Sequence, residues 1–141
     1  MSQAKKCRVA VNGYGVIGKR VAEAVARQDD MELAGVADIS TDWRPRVALQ
    51  KGCRLFGATG EHTQAMRESG LEVVGNLEDL LGVSDLVVDC TPKRIAALNV
   101  DIYRQRGIKF IVQGGEKHEV TGHSFVAEAS YSSALNREST R

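Results

Sequence analysis

Three glycines spaced by two and three residues, Gly13, Gly15 and Gly18, stand between an apolar run, Val9-Ala10-Val11-Asn12, and a run with helical spacing, Ile17, Val21, Ala24, Val25 and Gln28. Glycines so placed between a buried strand and a helix start suit the holding of a diphosphate by backbone N–H groups. Gly13 permits the tight turn, Gly15 lets the backbone approach the ligand, and Gly18 lets the helix pack closely on the strand. Tyr14, Val16 and Ile17 complete the turn, and the helix N-terminus adds free N–H groups and partial positive charge. The alternative is a turn with no ligand.

Other polar or glycine positions fall where strands are expected to end. Asp38 follows Gly18 by twenty residues. A carboxylate there accepts hydrogen bonds from the adenosine ribose and repels a 2′-phosphate, which favours NAD. Its alternative role is a loop cap. Arg44 and Arg46 lie just downstream, and an arginine can pair with a 2′-phosphate, so NADP stays open. They read more naturally as surface residues. Thr91-Pro92 closes the central strand, with Thr91 able to reach a cofactor and Pro92 stiffening the exit or starting the next helix. Gly114-Gly115 closes a later strand and allows close backbone approach on the nicotinamide side, with a plain turn as the competing account.

The elements needed to carry these positions are legible as an alternation. Strands are expected at 7–12, 32–37, 54–56, 72–74, 86–91 and 108–112. Helices are expected at 16–28, 43–51 and 61–69, then a short one capped by Asn76 and carrying Leu77, Leu80 and Leu81. A further helix ending at Gly107 is marked by Ile95, Leu98 and Ile102. Alternating strands and helices imply an α/β, doubly wound parallel sheet of the Rossmann type. Residues 1–115 form its core. Residues 116–141 form a connecting segment leading to a catalytic domain the chain lacks, with one more strand near 124–127, a short helix at 131–135 and a polar end. Phe125, Val126 and Tyr131 are candidates for apolar surface left exposed there.

Composition excludes several classes. At 141 residues, 43% hydrophobic, 26% charged and a net charge of +1, the chain fits one ordinary globular domain. No global field draws it to nucleic acid or membrane. With neither a leader pattern nor a spanning run, a cytoplasmic location is expected. Cys7, Cys53 and Cys90 show no C-x-x-C spacing and read as core residues. His62, His118 and His123 do not complete a metal-ligand pattern with them, and His62 and His118 read as solvated. No catalytic nucleophile stands out.

The blocks Val11-Asn12-Gly13-Tyr14-Gly15-Val16-Ile17-Gly18-Lys19-Arg20-Val21, Gln28-Asp29-Asp30-Met31, Asp89-Cys90-Thr91-Pro92 and Gln113-Gly114-Gly115-Glu116-Lys117-His118-Glu119, with Lys51-Gly52 and Ser124-Phe125, carry a resemblance. The chain resembles the amino-terminal, NAD(P)-binding domain of archaeal-type (type II) glyceraldehyde-3-phosphate dehydrogenases along essentially its whole length. The resemblance implies a parent enzyme, expected to be a homo-oligomer, that oxidises glyceraldehyde 3-phosphate with phosphate and NAD(P). It implies cofactor contacts at Val16, Ile17 and Gly115. It also implies a nucleophilic cysteine a few residues beyond Arg141, so that these residues alone bind dinucleotide without turnover. Many members carry lysine where this chain has Asp38, and that departure again favours NAD. A semialdehyde or homoserine dehydrogenase domain, and a stand-alone nucleotide-binding or sensing module, are the other readings. The Gln113 to Glu119 block argues against the first of them.

Overall fold

The apolar run Cys7–Asn12 becomes β1, the middle of the sheet, and its residues alternate between two cores. The computed structural model describes residues 4–113 and 115–141. From β1 the chain runs through α1 (Val16–Ala26), β2 (Met31–Asp38), α2 (Trp43–Gln50), β3 (Leu55–Gly57), α3 (Gly60–Glu68) and β4 (Gly75–Asn76). It returns through α4 (Leu77–Gly82) to β5 (Leu86–Asp89), then α5 (Ile95–Gln105) and β6 (Lys109–Val112). A 3-10 turn (His118–Val120), α6 (Ala127–Ala134) and β7 (Ser139–Thr140) follow. All strand pairs are parallel and the sheet order is β4-β3-β2-β1-β5-β6-β7. Strand order reverses between β1 and β5, which creates a switch point at their carboxyl ends.

Successive residues of a strand face opposite sides of its sheet. Val11 packs with Tyr14, Ala22, Val36, Ala48, Leu55 and Met66, under α1, α2 and α3. Its neighbour Ala10 packs with Leu80, Val87, Val100, Tyr103 and Phe110, under α4 and α5. Cover on both faces is why the centres of these strands, such as Val9-Ala10-Val11, are apolar at successive positions. Three helices start from side-chain caps: Asp42 accepts from the Arg44 N–H, Thr59 from the His62 N–H, and Asn76 forms a reciprocal capping box with Asp79.

Several expected elements sit elsewhere. Residues 72–74 are not a strand. The Val73 carbonyl accepts the Arg67 guanidinium at 3.0 Å, and the ladder with β3 forms at Gly75 and Asn76. Residues 124–127 are not a strand either, since Val126 is the residue from which α6 starts. That helix begins at Ala127 rather than 131, with Ser130 leaving helical geometry inside it. The polar end instead supplies β7, whose Ser139 and Thr140 are buried. Their hydroxyls are satisfied there: Ser139 Oγ donates to the Thr121 carbonyl at 3.3 Å, and Thr140 Oγ1 pairs with Nδ1 of the buried His123 at 2.9 Å. Phe125, Val126 and Tyr131 are indeed exposed, Val126 and Tyr131 strongly so. No helix among the described residues is long and apolar enough to cross a membrane.

Two helices bury a different stripe from the one their large side chains suggest. In α1 the buried residues are Gly18, Ala22 and Val25, while Ile17 is exposed. In α5 they are Ala96, Val100 and Tyr103, while Ile95 and Leu98 are exposed. Gly18, Ala22 and Ala96 are the small members of these buried stripes, which Val25, Val100 and Tyr103 complete. The displaced large residues at their N-terminal turns stand near the carboxyl edge of the sheet.

Candidate cofactor site

The glycine turn takes the three expected forms. Gly13 has φ +95°, and a Cβ there would lie 2.9 Å from the Cys90 carbonyl carbon. A Cβ on Gly18 would lie 1.7 Å from the Gly13 oxygen, so α1 rests directly on the turn. A Cβ on Gly15 would meet nothing within 4 Å. Open space over the middle glycine, beside a helix start with no side-chain cap and no acidic residue in its first turn, suits an anionic ligand. Val16 and Ile17 give that opening an apolar rim. Tyr14 points the other way, buried at 2% exposure in the core, with its hydroxyl unpartnered. Burial pushes that hydroxyl's pKa up, so it stays neutral.

Asp38 ends β2 beneath this turn and is buried. Its Oδ2 accepts the Tyr14 N–H at 2.7 Å, and its Oδ1 accepts the N–H groups of Ile39 at 2.7 Å and Ser40 at 2.8 Å. The loop-cap role is therefore real, and the same carboxylate ties the glycine turn to β2. Of roughly four lone-pair directions on a carboxylate, three are used, and the free one is on Oδ2. Asp38→Ala strands three N–H donors and is expected to lower stability by about 2–4 kcal/mol in urea denaturation. A loss under 1 kcal/mol by that measure would contradict this tie.

Arg44 and Arg46 do not stand free. Arg44 is ion-paired with Asp42 at 2.8 Å and holds the Asp42 carboxyl down at about 2. Arg46 donates to the Ser69 carbonyl at 3.2 Å. A cavity of about 390 Å³ opens between Gly15, Val16, Lys19, Arg20, Trp43 and Arg44, adjoining the glycine turn.

Across the switch point lies a polar cluster that local sequence does not reveal. Asp89 is fully buried at the end of β5. Its Oδ1 accepts the Thr91 N–H at 2.9 Å and the Thr91 hydroxyl at 2.5 Å. Its Oδ2 accepts Asn99 Nδ2 at 2.9 Å and the Tyr103 hydroxyl at 2.5 Å. Tyr103 in turn accepts from Asn12 Nδ2 at 2.8 Å. Burial, then the Asp89 charge, push the Tyr103 hydroxyl far above its ordinary range. Thr91 has donated its proton internally, so it offers a ligand only lone pairs. The available signal was Asp89 itself, a carboxylate interrupting an apolar run, which must be satisfied if buried.

Pro92 does not start a helix directly, because α5 begins at Ile95. Between them Arg94 has φ +75°, the sole non-glycine residue with positive φ among the described residues. Such a conformation costs on the order of 1–3 kcal/mol. The Arg94 N–H donates to Oε1 of Glu116, which is buried, and the Glu116 carbonyl accepts the Arg141 guanidinium. Gly115 lies beside the Lys93 side chain, and Gly114 lies outside the described residues.

All three cysteines are free, and burial pushes the Cys90 thiol up to about 12. His62 and His118 are at most partly buried and pair with hydroxyls, Nδ1 of His62 with Thr59 at 2.8 Å and Nδ1 of His118 with Ser124 at 3.2 Å.

A parallel sheet of this order, with a glycine turn opening onto free amides at its switch point, defines a Rossmann-type nicotinamide-dinucleotide-binding domain. The family model described as "Dihydrodipicolinate reductase, N-terminus" matches residues 7–121, and the chain belongs to that family. It is also similar to the glyceraldehyde-3-phosphate dehydrogenases of two methanogens. Identity is 50% over 133 residues with that of Methanothermobacter thermautotrophicus and 46% over 133 residues with that of Methanothermus fervidus, in each case 94% of this chain and 40% of the relative. That of Thermococcus kodakarensis is 46% identical over 136 residues, 96% of this chain and 41% of the relative. The chain thus spans about 40% of these relatives' length and corresponds to their N-terminal cofactor-binding region. Among solved structures, UDP-N-acetylglucosamine 3-dehydrogenase from Acidithiobacillus ferrooxidans shares the fold with a TM-score of 0.60 at 22% identity, over 95% of this chain and 36% of that one. GenD2 from gentamicin A biosynthesis, in complex with NAD, has a TM-score of 0.58 at 20% identity, over 79% and 28%.

Proposed function

We propose that this chain is the cofactor-binding domain of a phosphorylating glyceraldehyde-3-phosphate dehydrogenase, and that it binds NAD in preference to NADP. The open space over Gly15 at an uncapped helix start carries the reading. The amides of 15–17 hold the diphosphate and Val16 and Ile17 line its flank. Asp38 offers its remaining Oδ2 lone pair to the ribose, while Thr91, Pro92 and Gly115 border the nicotinamide half. Held there, a nicotinamide would supply the hydride acceptor, and these residues would bind and orient it. Against a 2′-phosphate stand the Asp38 charge and the neutralisation of Arg44 by Asp42, favouring NAD by about tenfold, or 1.4 kcal/mol.

Calorimetric titration with NAD and then NADP tests this. Trp43 is the single tryptophan, is largely exposed, and borders the cavity beside Gly15, so its emission should follow the same isotherm. Gly15→Val is the matching variant. Gly15 has φ −77°, which valine tolerates, and the added side chain projects into open space. Affinity for NAD is expected to fall more than about tenfold while the melting temperature stays within about 2 °C. Wild-type protein giving neither heat nor a change in emission with millimolar NAD would refute the reading.

A further inference from the structure

Two strand-end carboxylates grip one loop. Asp89, closing β5, holds the Thr91 N–H and hydroxyl at the start of the 90–94 loop. Glu116, just past β6, holds the Arg94 N–H at its end. β5 and β6 are adjacent, so the grip spans neighbouring strands and fixes both ends of the turn that separates β5 from α5. The two attachments differ in kind. Thr91 accepts its position without strain, whereas Arg94 is left-handed with φ +75° and ψ −18°, which a side chain bearing Cβ disfavours.

Something must hold Arg94 there, and the buried Glu116 carboxylate is the partner in place. Arg94 is the residue from which α5 starts, and α5 has neither a side-chain cap nor an acidic residue in its first turn. Glu116 thereby supplies from a distant segment the negative charge that a helix N-terminus favours. Without it, Arg94 relaxes toward negative φ and the peptides of 92–94 rotate away from Gly115.

We propose that Glu116 is a positioning residue for the nicotinamide half of the cofactor: by accepting the Arg94 N–H it keeps the 91–94 turn set against Gly115. The inference rests on the groove reading above and adds an energetic device to it. It separates the two halves of the ligand. The adenosine and diphosphate contacts belong to β1, α1 and β2, which Glu116 does not touch. The 91–94 turn meets the glycine turn at its Thr91 end, which Asp89 holds, whereas Glu116 acts at its Arg94 end.

The test compares NAD with ADP, titrated calorimetrically against wild type, Glu116→Ala, Glu116→Gln and the double variant Glu116→Ala/Arg94→Gly. If the competent turn becomes a minor population, Glu116→Ala weakens NAD by about tenfold and leaves ADP unchanged. Glu116→Gln keeps an acceptor oxygen and stays within about threefold of wild type. Glycine tolerates positive φ, so Arg94→Gly restores most of the lost NAD affinity. If Glu116→Ala does not fold, Glu116→Asp, which keeps the charge but withdraws it by one methylene, must show the same selective loss. NAD binding unchanged in Glu116→Ala, an equal loss for NAD and ADP, or no rescue by Arg94→Gly overturns the proposal while the groove reading stands. Wild type that binds neither ligand overturns both.

Discussion

Gly18→Ala is expected to lower stability by about 3 kcal/mol or more and to abolish NAD binding together with it. The added methyl carbon would sit 1.7 Å from the Gly13 oxygen and 2.8 Å from the Gly13 carbonyl carbon. Both are backbone atoms, so no rotamer change relieves the overlap. α1 must lift from β1 at its first turn, where the amides facing the groove are held. Val11 and Tyr14 lie in the same cluster as Ala22 of α1, so the displacement also opens the core. Urea denaturation with parallel calorimetry checks this. Gly18→Ala with wild-type stability would mean that α1 does not rest on the turn as described. The contrast with Gly15→Val is informative, since both add bulk to the same motif. One is expected to lose folding and binding, the other binding alone.

Asp89→Ala is the second large effect, at about 3–5 kcal/mol of stability. Four donors lose their acceptor at once: the Thr91 N–H and hydroxyl, the Asn99 amide and the Tyr103 hydroxyl. Two of these residues belong to α5 and one to the loop before it, so the loss loosens α5 from the switch point. Tyr103→Phe provides the calibration. It removes one donor to Asp89 and leaves the Asn12 amide unpaired, for about 1–2 kcal/mol. Denaturant midpoints for the two variants should therefore differ clearly. An Asp89→Ala midpoint equal to that of Tyr103→Phe would show that the carboxylate is not the centre of the cluster.

Local sequence carried much of the site because local backbone chemistry makes it. The glycine turn, the strand before it and the helix after it are contiguous, and each glycine's constraint arises within a few residues or from the strand beside it. The helix cap at Asn76 and the strand-closing position of Asp38 were legible for the same reason, though not the reciprocal bond from Asp79. Asp38 also shows the boundary. A carboxylate at that position could be expected, but not that it already holds three amides, one of them from Tyr14 across the turn.

The alternating α/β order, the glycine turn after β1 and the helix that follows it were legible in the sequence. All follow from the types of residues adjacent in the chain. Tertiary structure alone decided the rest: that Ser139 and Thr140 become a buried strand, that Ile17, Ile95 and Leu98 face outward, and that Asp89 and Glu116 hold the loop between β5 and α5. The reason is distance along the chain. Burial of a polar strand depends on partners such as His123, and Arg94 depends on a carboxylate twenty-two residues away, so no local pattern records either.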